Sequence, residues 1–269
     1  VTIRLSGFKQ EENMRTIAIM NNKGGVGKTV TAINLADILV RRYHKRVVLA
    51  DCDGQMNLTR FFLPEFDPEM NYSMASLLMG EGEPVWSDNL TPLGDGLDLI
   101  PGSPDLYDLD LKLIKDGCGA PEKVWHFVKA ARYDEDADFF IFDCPPGFTT
   151  ASVGALMAAD EVVIPMLVDG FSFAGVQDMT KQISSLRRAN MNIKIAGVLI
   201  TQWHNSEVVR QGEQLLRSMG VPVFQQTIRR TDKVPESTFD RQPIIKYSPG
   251  SAASQDYRRW VIEYIGREN

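Results

Sequence analysis

Thr16-Ile17-Ala18-Ile19-Met20-Asn21-Asn22-Lys23-Gly24-Gly25-Val26-Gly27-Lys28-Thr29 is the stretch from which the fold of this chain is read. Thr16–Met20 is apolar and partly β-branched, the mark of a buried strand. A glycine-rich turn follows at Asn21–Gly27. Lys28–Tyr43 then places Ala32, Ile33, Leu35, Ala36, Ile38 and Leu39 on a broad apolar stripe at helical spacing. Arg46–Ala50 is a second buried strand, and it ends in Asp51. Strand, loop, helix and strand make a βαβ unit. Such crossovers build parallel sheets with helices on both faces.

The turn itself carries chemistry. Gly24, Gly25, Val26 and Gly27 let backbone N–H groups close around phosphate oxygens, and the helix N-terminus aims a partial positive charge at the same anion. Lys28 would reach the β- and γ-phosphates of a nucleotide. Val30 joins the contacts from the first helical turn, and the Thr29 hydroxyl would bind Mg²⁺. ATP and Mg²⁺ are the expected cofactors. Strand, glycines, Lys-Thr and helix all agree on this reading.

Outward from this unit the α/β pattern continues. Leu97–Ile100, Phe139–Phe142, Glu161–Met166, Ile193–Thr201 and Val221–Gln225 read as strands. Asp105–Lys115, Pro121–Ala131, Phe171–Arg188, Asn205–Met219 and Ser251–Ile265 read as helices. No repeat or linker interrupts them. The expected fold is one open, mostly parallel, doubly wound α/β domain of the P-loop type over residues 14–269. Residues 1–13 read as a short extension, too short for a helix-turn-helix. Asp51, Asp53 and Asp143 stand at or just past strand ends, where an open α/β sheet has its ligand crevice.

The bulk properties narrow the function class. With 269 residues the chain can bury a full core without disulfide or metal staples. A net charge of −6 argues against whole-surface attraction to nucleic acid, though not against a local basic patch. Cys52, Cys118 and Cys144 are odd in number and lack metal-ligand spacing, so a reducing, cytoplasmic setting is expected. Cys52 and Cys144 read as packing residues. His44, His126 and His204 share no ligand spacing. No apolar run nears the roughly 18 residues of a membrane span, so no stable membrane insertion is expected.

Asn22 stands where the plain phosphate-loop pattern has its first glycine, and Lys23 follows it. KGGVGKT, with this early lysine, resembles the deviant Walker A motif of the ParA/MinD superfamily of P-loop ATPases. In that family the early lysine crosses a nucleotide-sandwich dimer to the partner's ATP, and here that residue is Lys23. Supplying a cation in trans would couple dimerisation to hydrolysis. Asp51-Cys52-Asp53-Gly54-Gln55-Met56-Asn57 is similar to the family's D-x-D-P-Q-x-N segment. The resemblance implies that Asp53 orients the attacking water and Asp51 helps hold the Mg²⁺ water shell. Gly54 replaces the proline, and a looser Asp53 loop is expected from that. Asp143-Cys144-Pro145-Pro146 resembles the Walker B segment, with Asp143 toward Mg²⁺.

Ala158–Pro165, Gly197–Thr201 and Pro243–Pro249 extend the resemblance to the small, Soj-type ParA partition ATPases. It implies an ATP-bound homodimer that binds duplex DNA without sequence preference. It also implies a ParB-type partner, a role in plasmid or chromosome partitioning, and a nucleoid-associated location. Arg230 keeps a position similar to the family's P-R-N motif. Arg210, Arg217, Arg229, Lys233 and Arg241 are the DNA candidates. The family's arginines are missing at Ser206 and in Pro249–Ala253. Two rivals follow. One is a MinD-like or polar-localisation scaffold that assembles on membrane or protein. The other is a reductase resembling the nitrogenase iron protein, which needs paired cysteines around an iron–sulfur cluster. In the last helix Tyr257, Trp260, Val261, Tyr264 and Ile265 share one face and are expected to pack in the core.

Overall fold

The structure is a computed structural model, and it describes residues 14–80, 89–116, 121–134, 137–170 and 172–266. The extension before Met14, Cys118 and Phe171 lie outside the described residues.

The strands are β1 (Arg15–Ile19), β2 (Val47–Asp51), β3 (Thr91–Gly94), β4 (Leu97–Ile100), β5 (Phe139–Asp143), β6 (Glu161–Met166) and β7 (Lys194–Ile200). They form one sheet in the order β3-β4-β2-β5-β1-β6-β7. Every pairing is parallel except β3 with β4. The phosphate-loop strand β1 therefore runs between β5 and β6. Strands covered on both faces have no polar side to show, and β2 and β5 are buried at every residue.

The helices are α1 (Lys28–Tyr43), α2 (Asn57–Phe62), α3 (Met74–Met79), α4 (Asp105–Asp116), α5 (Glu122–Asp134), α6 (Thr150–Ala158), α7 (Ser172–Leu186), α8 (Glu207–Ser218), α9 (Lys233–Phe239), α10 (Ile244–Tyr247) and α11 (Ala252–Gly266). Strand alternation splits the core in two. Ile17 and Ile19 of β1 face a cluster with α1, α2, α10 and α11, and Ala18 faces a cluster with α3 to α7. In α11, Tyr257, Trp260, Val261 and Tyr264 are buried, with Trp260 stacked on Tyr264. This helix belongs to the core, as its spacing predicts. Among the described residues no helix is long and apolar enough to cross a membrane.

Two expectations change. Val221–Gln225 forms only an isolated bridge, Val198 to Val223, beside β7. Pro222 has no N–H to extend a ladder. The hairpin strand β3 and the short helices α2, α3, α6, α9 and α10 were not expected from periodicity. Each spans at most nine residues, too short for a clear period. β3 turns into β4 through Gly94 and Gly96, both at positive φ.

Candidate functional site

Parallel strands end together, so the loops after β1, β2, β5, β6 and β7 gather at one edge of the sheet. They surround an open cleft of about 730 Å³, lined among others by Gly24, Gly27, Lys28, Thr29, Val30 and Asp53. Gly25 and Gly27 have φ of 71° and 88°, the left-handed region that glycine enters without strain. They turn the chain sharply into α1. No acidic side chain occupies the first turn of α1, and no side chain caps it. Its amides are left for an anion. Thr201 Oγ1 donates to the Val26 carbonyl at 2.8 Å and Gln202 Nε2 to the Gly25 carbonyl at 3.0 Å, bracing the loop from β7.

Lys28 is only 7% exposed, and its ammonium donates to the carbonyls of Asn21 and Lys23, both at 3.1 Å. Burial lowers its pKa, against the pull of Asp143, Cys144 and Asp53. Asp51 and Asp143 sit in register on adjacent strands. Both are buried. Burial and the neighbouring Asp51 push the Asp143 carboxyl well above the usual carboxylate range, while the Thr29 hydroxyl and Lys28 oppose this. Asp143 Oδ1 is buried without a hydrogen-bond partner. An unsatisfied carboxylate oxygen, a neighbouring Thr29 hydroxyl and a buried lysine fit a hydrated Mg²⁺ with nucleotide phosphates, since Mg²⁺ binds through few carboxylates and several waters.

Asp51 has other work. Its Oδ2 accepts from Thr59 N at 2.8 Å and Thr59 Oγ1 at 2.7 Å, and its Oδ1 accepts from Asp53 N at 3.1 Å. Burial pushes its carboxyl up to about 6 despite these bonds. Asp51 is thus engaged with its own loop, one layer behind the cleft. Asp53 is half-buried and lines the cleft, and its Oδ1 accepts from Gln55 N at 2.9 Å. The loop is also bonded by Met56 N to the Asp53 carbonyl at 2.9 Å. Gly54 does not leave it loose, because it is held from both sides.

Lys23 stands at the rim, its side chain 40% exposed, and pairs with Asp169 of the loop after β6. Asp169 Oδ1 also accepts from Ser172 N and Oγ at the start of α7. Asn21 Nδ2 donates to the Pro165 carbonyl at 2.7 Å, tying the phosphate loop to the end of β6. Arg230, Thr231, Val234, Arg241 and Tyr257 line the far end of the cleft. Arg230 therefore does meet the phosphate loop in one cavity.

Of the DNA candidates, Arg229 and Arg241 line the same cleft, while Arg210, Arg217 and Lys233 do not. Arg229 forks onto Asp256, which is 1% exposed, at 2.7 and 2.8 Å. Arg217 pairs with Glu213 at 2.7 Å and donates to the Phe224 carbonyl at 3.0 Å. Arg217 ties α8 to the Phe224 segment, and Arg229 ties its own segment to α11. Lys233 pairs with Glu236 on its own helix, and Arg241 lines the cleft. Arg210 is exposed, with Asn205 as its partner.

Asp169, Thr59, Thr201 and Gln202 were missed by sequence reasoning. Asp169, Thr201 and Gln202 follow the ends of strands β6 and β7, so the strand-end rule that marked Asp51 and Asp143 reaches them too. Thr59 has no such signal.

Comparison with known proteins agrees with this geometry. A family model described as "AAA domain" matches residues 14–196. The chain is 32% identical over 257 residues to the chromosome-partitioning ATPase Soj of Thermus thermophilus, covering 94% of this chain and 96% of that protein. It superposes on apo McdA of Cyanothece with a TM-score of 0.80 at 23% identity, over 94% of this chain and 100% of the other. Cobyrinic acid a,c-diamide synthase of Mycobacterium smegmatis, solved with ADP and magnesium, gives a TM-score of 0.74 at 26% identity, over 92% of each chain.

Proposed function

The chain belongs to the ParA/MinD family of deviant Walker A P-loop ATPases, and from that premise we propose a partition ATPase with an ATP-switched dimer. In the ATP state the dimer binds duplex DNA without sequence preference, and a ParB-type partner stimulates hydrolysis. Plasmid or chromosomal cargo moves by cycles of binding and release. The observation that carries the reading is Lys23, a second cation of the phosphate loop that is half-buried at the rim and paired with Asp169 instead of lining its own cleft.

Mg·ATP, when bound, supplies the electrophilic phosphorus and its counter-ion. Lys28 exchanges two carbonyls for phosphate oxygens, which restores its full charge to use. The Thr29 hydroxyl would bind the metal, with Asp143 reaching it through water and Asp51 helping to hold its water shell. Asp53 orients the attacking water from the cleft wall. Lys23 leaves Asp169 for the partner subunit's nucleotide, adding charge stabilisation only when two copies face each other. The similarity to Soj over nearly the full length of both chains supports the partition role. Arg210, Lys233 and Arg241 are the cations proposed for DNA.

The test is binding to random-sequence duplex DNA at two salt concentrations, with ATP and with ADP. ATP-only binding that weakens steeply with salt is the expected result. A nucleotide-dependent dimer that ignores DNA would overturn the DNA role. The engagement of Arg217 and Arg229 in ion pairs favours a second reading in that case, a scaffold that assembles on membrane or protein.

A further inference from the structure

The Asp53 loop is covered by an aromatic ring. Tyr107, in the first turn of α4, lies across Gly54. A β-carbon at position 54 would stand 2.6, 2.8 and 2.9 Å from three atoms of that ring. Real side chains do not approach so closely, so any residue with a β-carbon at 54 would push the Tyr107 ring off this position, and the ring can lie here only over a glycine. The Tyr107 hydroxyl accepts from Gln55 Nε2 at 2.6 Å. Gln55 in turn donates its N–H to Asp53 Oδ1 at 2.9 Å. On the opposite side is Gly102, where a β-carbon would stand 2.9 Å from the Asp53 carbonyl oxygen. Asp53 thus sits in a loop clamped between two close approaches, one backbone and one aromatic.

Tyr107 gains little from being there on its own account. It is 45% exposed and belongs to neither core cluster. Its ring and hydroxyl are spent on Gly54 and Gln55, while α4 is anchored separately by Leu106 and Leu109 in the core. We propose that Tyr107 is a positioning residue for ATP hydrolysis, fixing the Asp53 carboxylate in the cleft through its ring on Gly54 and its hydroxyl on Gln55. This rests on Asp53 as the water-orienting group. Small displacements of such a group cost rate without costing affinity, because the nucleotide itself is held by the phosphate loop.

The experiment is single-turnover hydrolysis at saturating Mg·ATP, with nucleotide affinity measured separately by a fluorescent analogue. Tyr107→Ala is expected to lower the rate about tenfold and to leave affinity within about twofold. Gly54→Ala is expected to match it, since its methyl group must expel the ring. The double variant should fall no further than Tyr107→Ala alone, because both remove one contact. A wild-type rate in Tyr107→Ala overturns the proposal, as do losses that multiply in the double variant or affinity that falls with rate. Should Tyr107→Ala unfold, Tyr107→Phe carries the test. It keeps the ring and removes the hydroxyl, and a loss of about twofold to threefold supports the proposal, whereas a wild-type rate overturns it. Asp53→Asn separates the two readings. If it hydrolyses normally, the role of Asp53 fails and that of Tyr107 with it. If it is inactive while Tyr107→Ala is normal, only the role of Tyr107 fails.

Discussion

The two edges of the parallel sheet bury the same kinds of side chain and treat them in opposite ways. At the edge where strands begin, buried charge is matched. Glu161 of β6 is paired with Arg15 at 2.9 Å and Lys194 at 3.1 Å, and accepts from Tyr264 Oη at 2.9 Å. Arg15 also lies over the Tyr264 ring, 4.5 Å from its centroid. Nearby, Arg132 joins Asp160 at 2.7 Å and Lys45 joins Asp138 at 3.1 Å. At the edge where strands end, two buried carboxylates sit side by side on adjacent strands, and among the described residues the buried Lys28 has only carbonyls as hydrogen-bond partners. A fold gains nothing from that second arrangement. A site gains a place where a polyanion and a divalent cation supply the missing charges together. Folding demands are met at one edge and binding demands at the other.

The comparison breaks most sharply at Lys28. Replacing Lys28 by Ala should weaken Mg·ATP binding about 100-fold or more, by loss of its phosphate contact. The same change should lower the melting temperature by no more than about a degree or two, since the buried cation makes no ion-pair contact among the described residues and only its longer-range attraction to Asp143 and Asp53 is lost against the relief of its burial. A melting temperature several degrees lower would mean that this edge is built for stability after all. Titration with a fluorescent nucleotide and a thermal melt are sufficient to decide.

Glu161→Ala should show the reverse pattern. Nucleotide affinity should hold, while stability falls by about 3 kcal/mol because Arg15 is left buried without its carboxylate. The pH dependence follows. Burial raises the Glu161 carboxyl, but Arg15, Tyr264 and Lys194 together outweigh it and hold the group below its ordinary value. Its stabilisation is therefore complete above the unfolded carboxylate range and is lost as pH falls through the lower folded value. In denaturant melts the stability gap between wild type and Glu161→Ala should narrow progressively as pH falls below the unfolded carboxylate range. Curves that stay parallel down to pH 3 would count against the ion-pair account.

The smallest effect expected is in the pH dependence of ligand stabilisation. Asp143 is held above the usual carboxylate range in the free protein, and a metal needs its ionised form. Binding should release a proton, so stabilisation by Mg·ADP should grow as pH rises. The rise of the thermal upshift with pH should be smaller in Asp143→Asn than in the wild type, and an unchanged pH dependence in that variant would remove Asp143 from the metal's surroundings.

Legibility differed among the residues for a definite reason. Lys23, the three loop glycines, Lys28 and Thr29 lie within seven consecutive residues, so their chemistry is readable in one line of text. Asp143 was legible because a buried strand precedes it. Gly54 was misread. Next to the family's proline it looked like a loosened loop, yet the structure lays over it a ring from 53 positions away that a β-carbon would displace. Arg217 and Arg229 were likewise read as surface cations. Their carboxylate partners are Glu213, one helical turn away on α8, and Asp256, which is brought close only when α11 docks. A pair such as Lys23 and Asp169, 146 residues apart, leaves no trace in either local pattern.

By itself the sequence determined the βαβ opening, the phosphate loop and the strand-end carboxylates, because each depends on neighbours within a few residues of chain. Tertiary structure alone decided the strand order and placed Thr59 on Asp51, Tyr107 on Gly54 and Asp169 on Lys23. Parallel strands must be joined by long crossovers, and those crossovers bring residues from distant parts of the chain to one edge of the sheet.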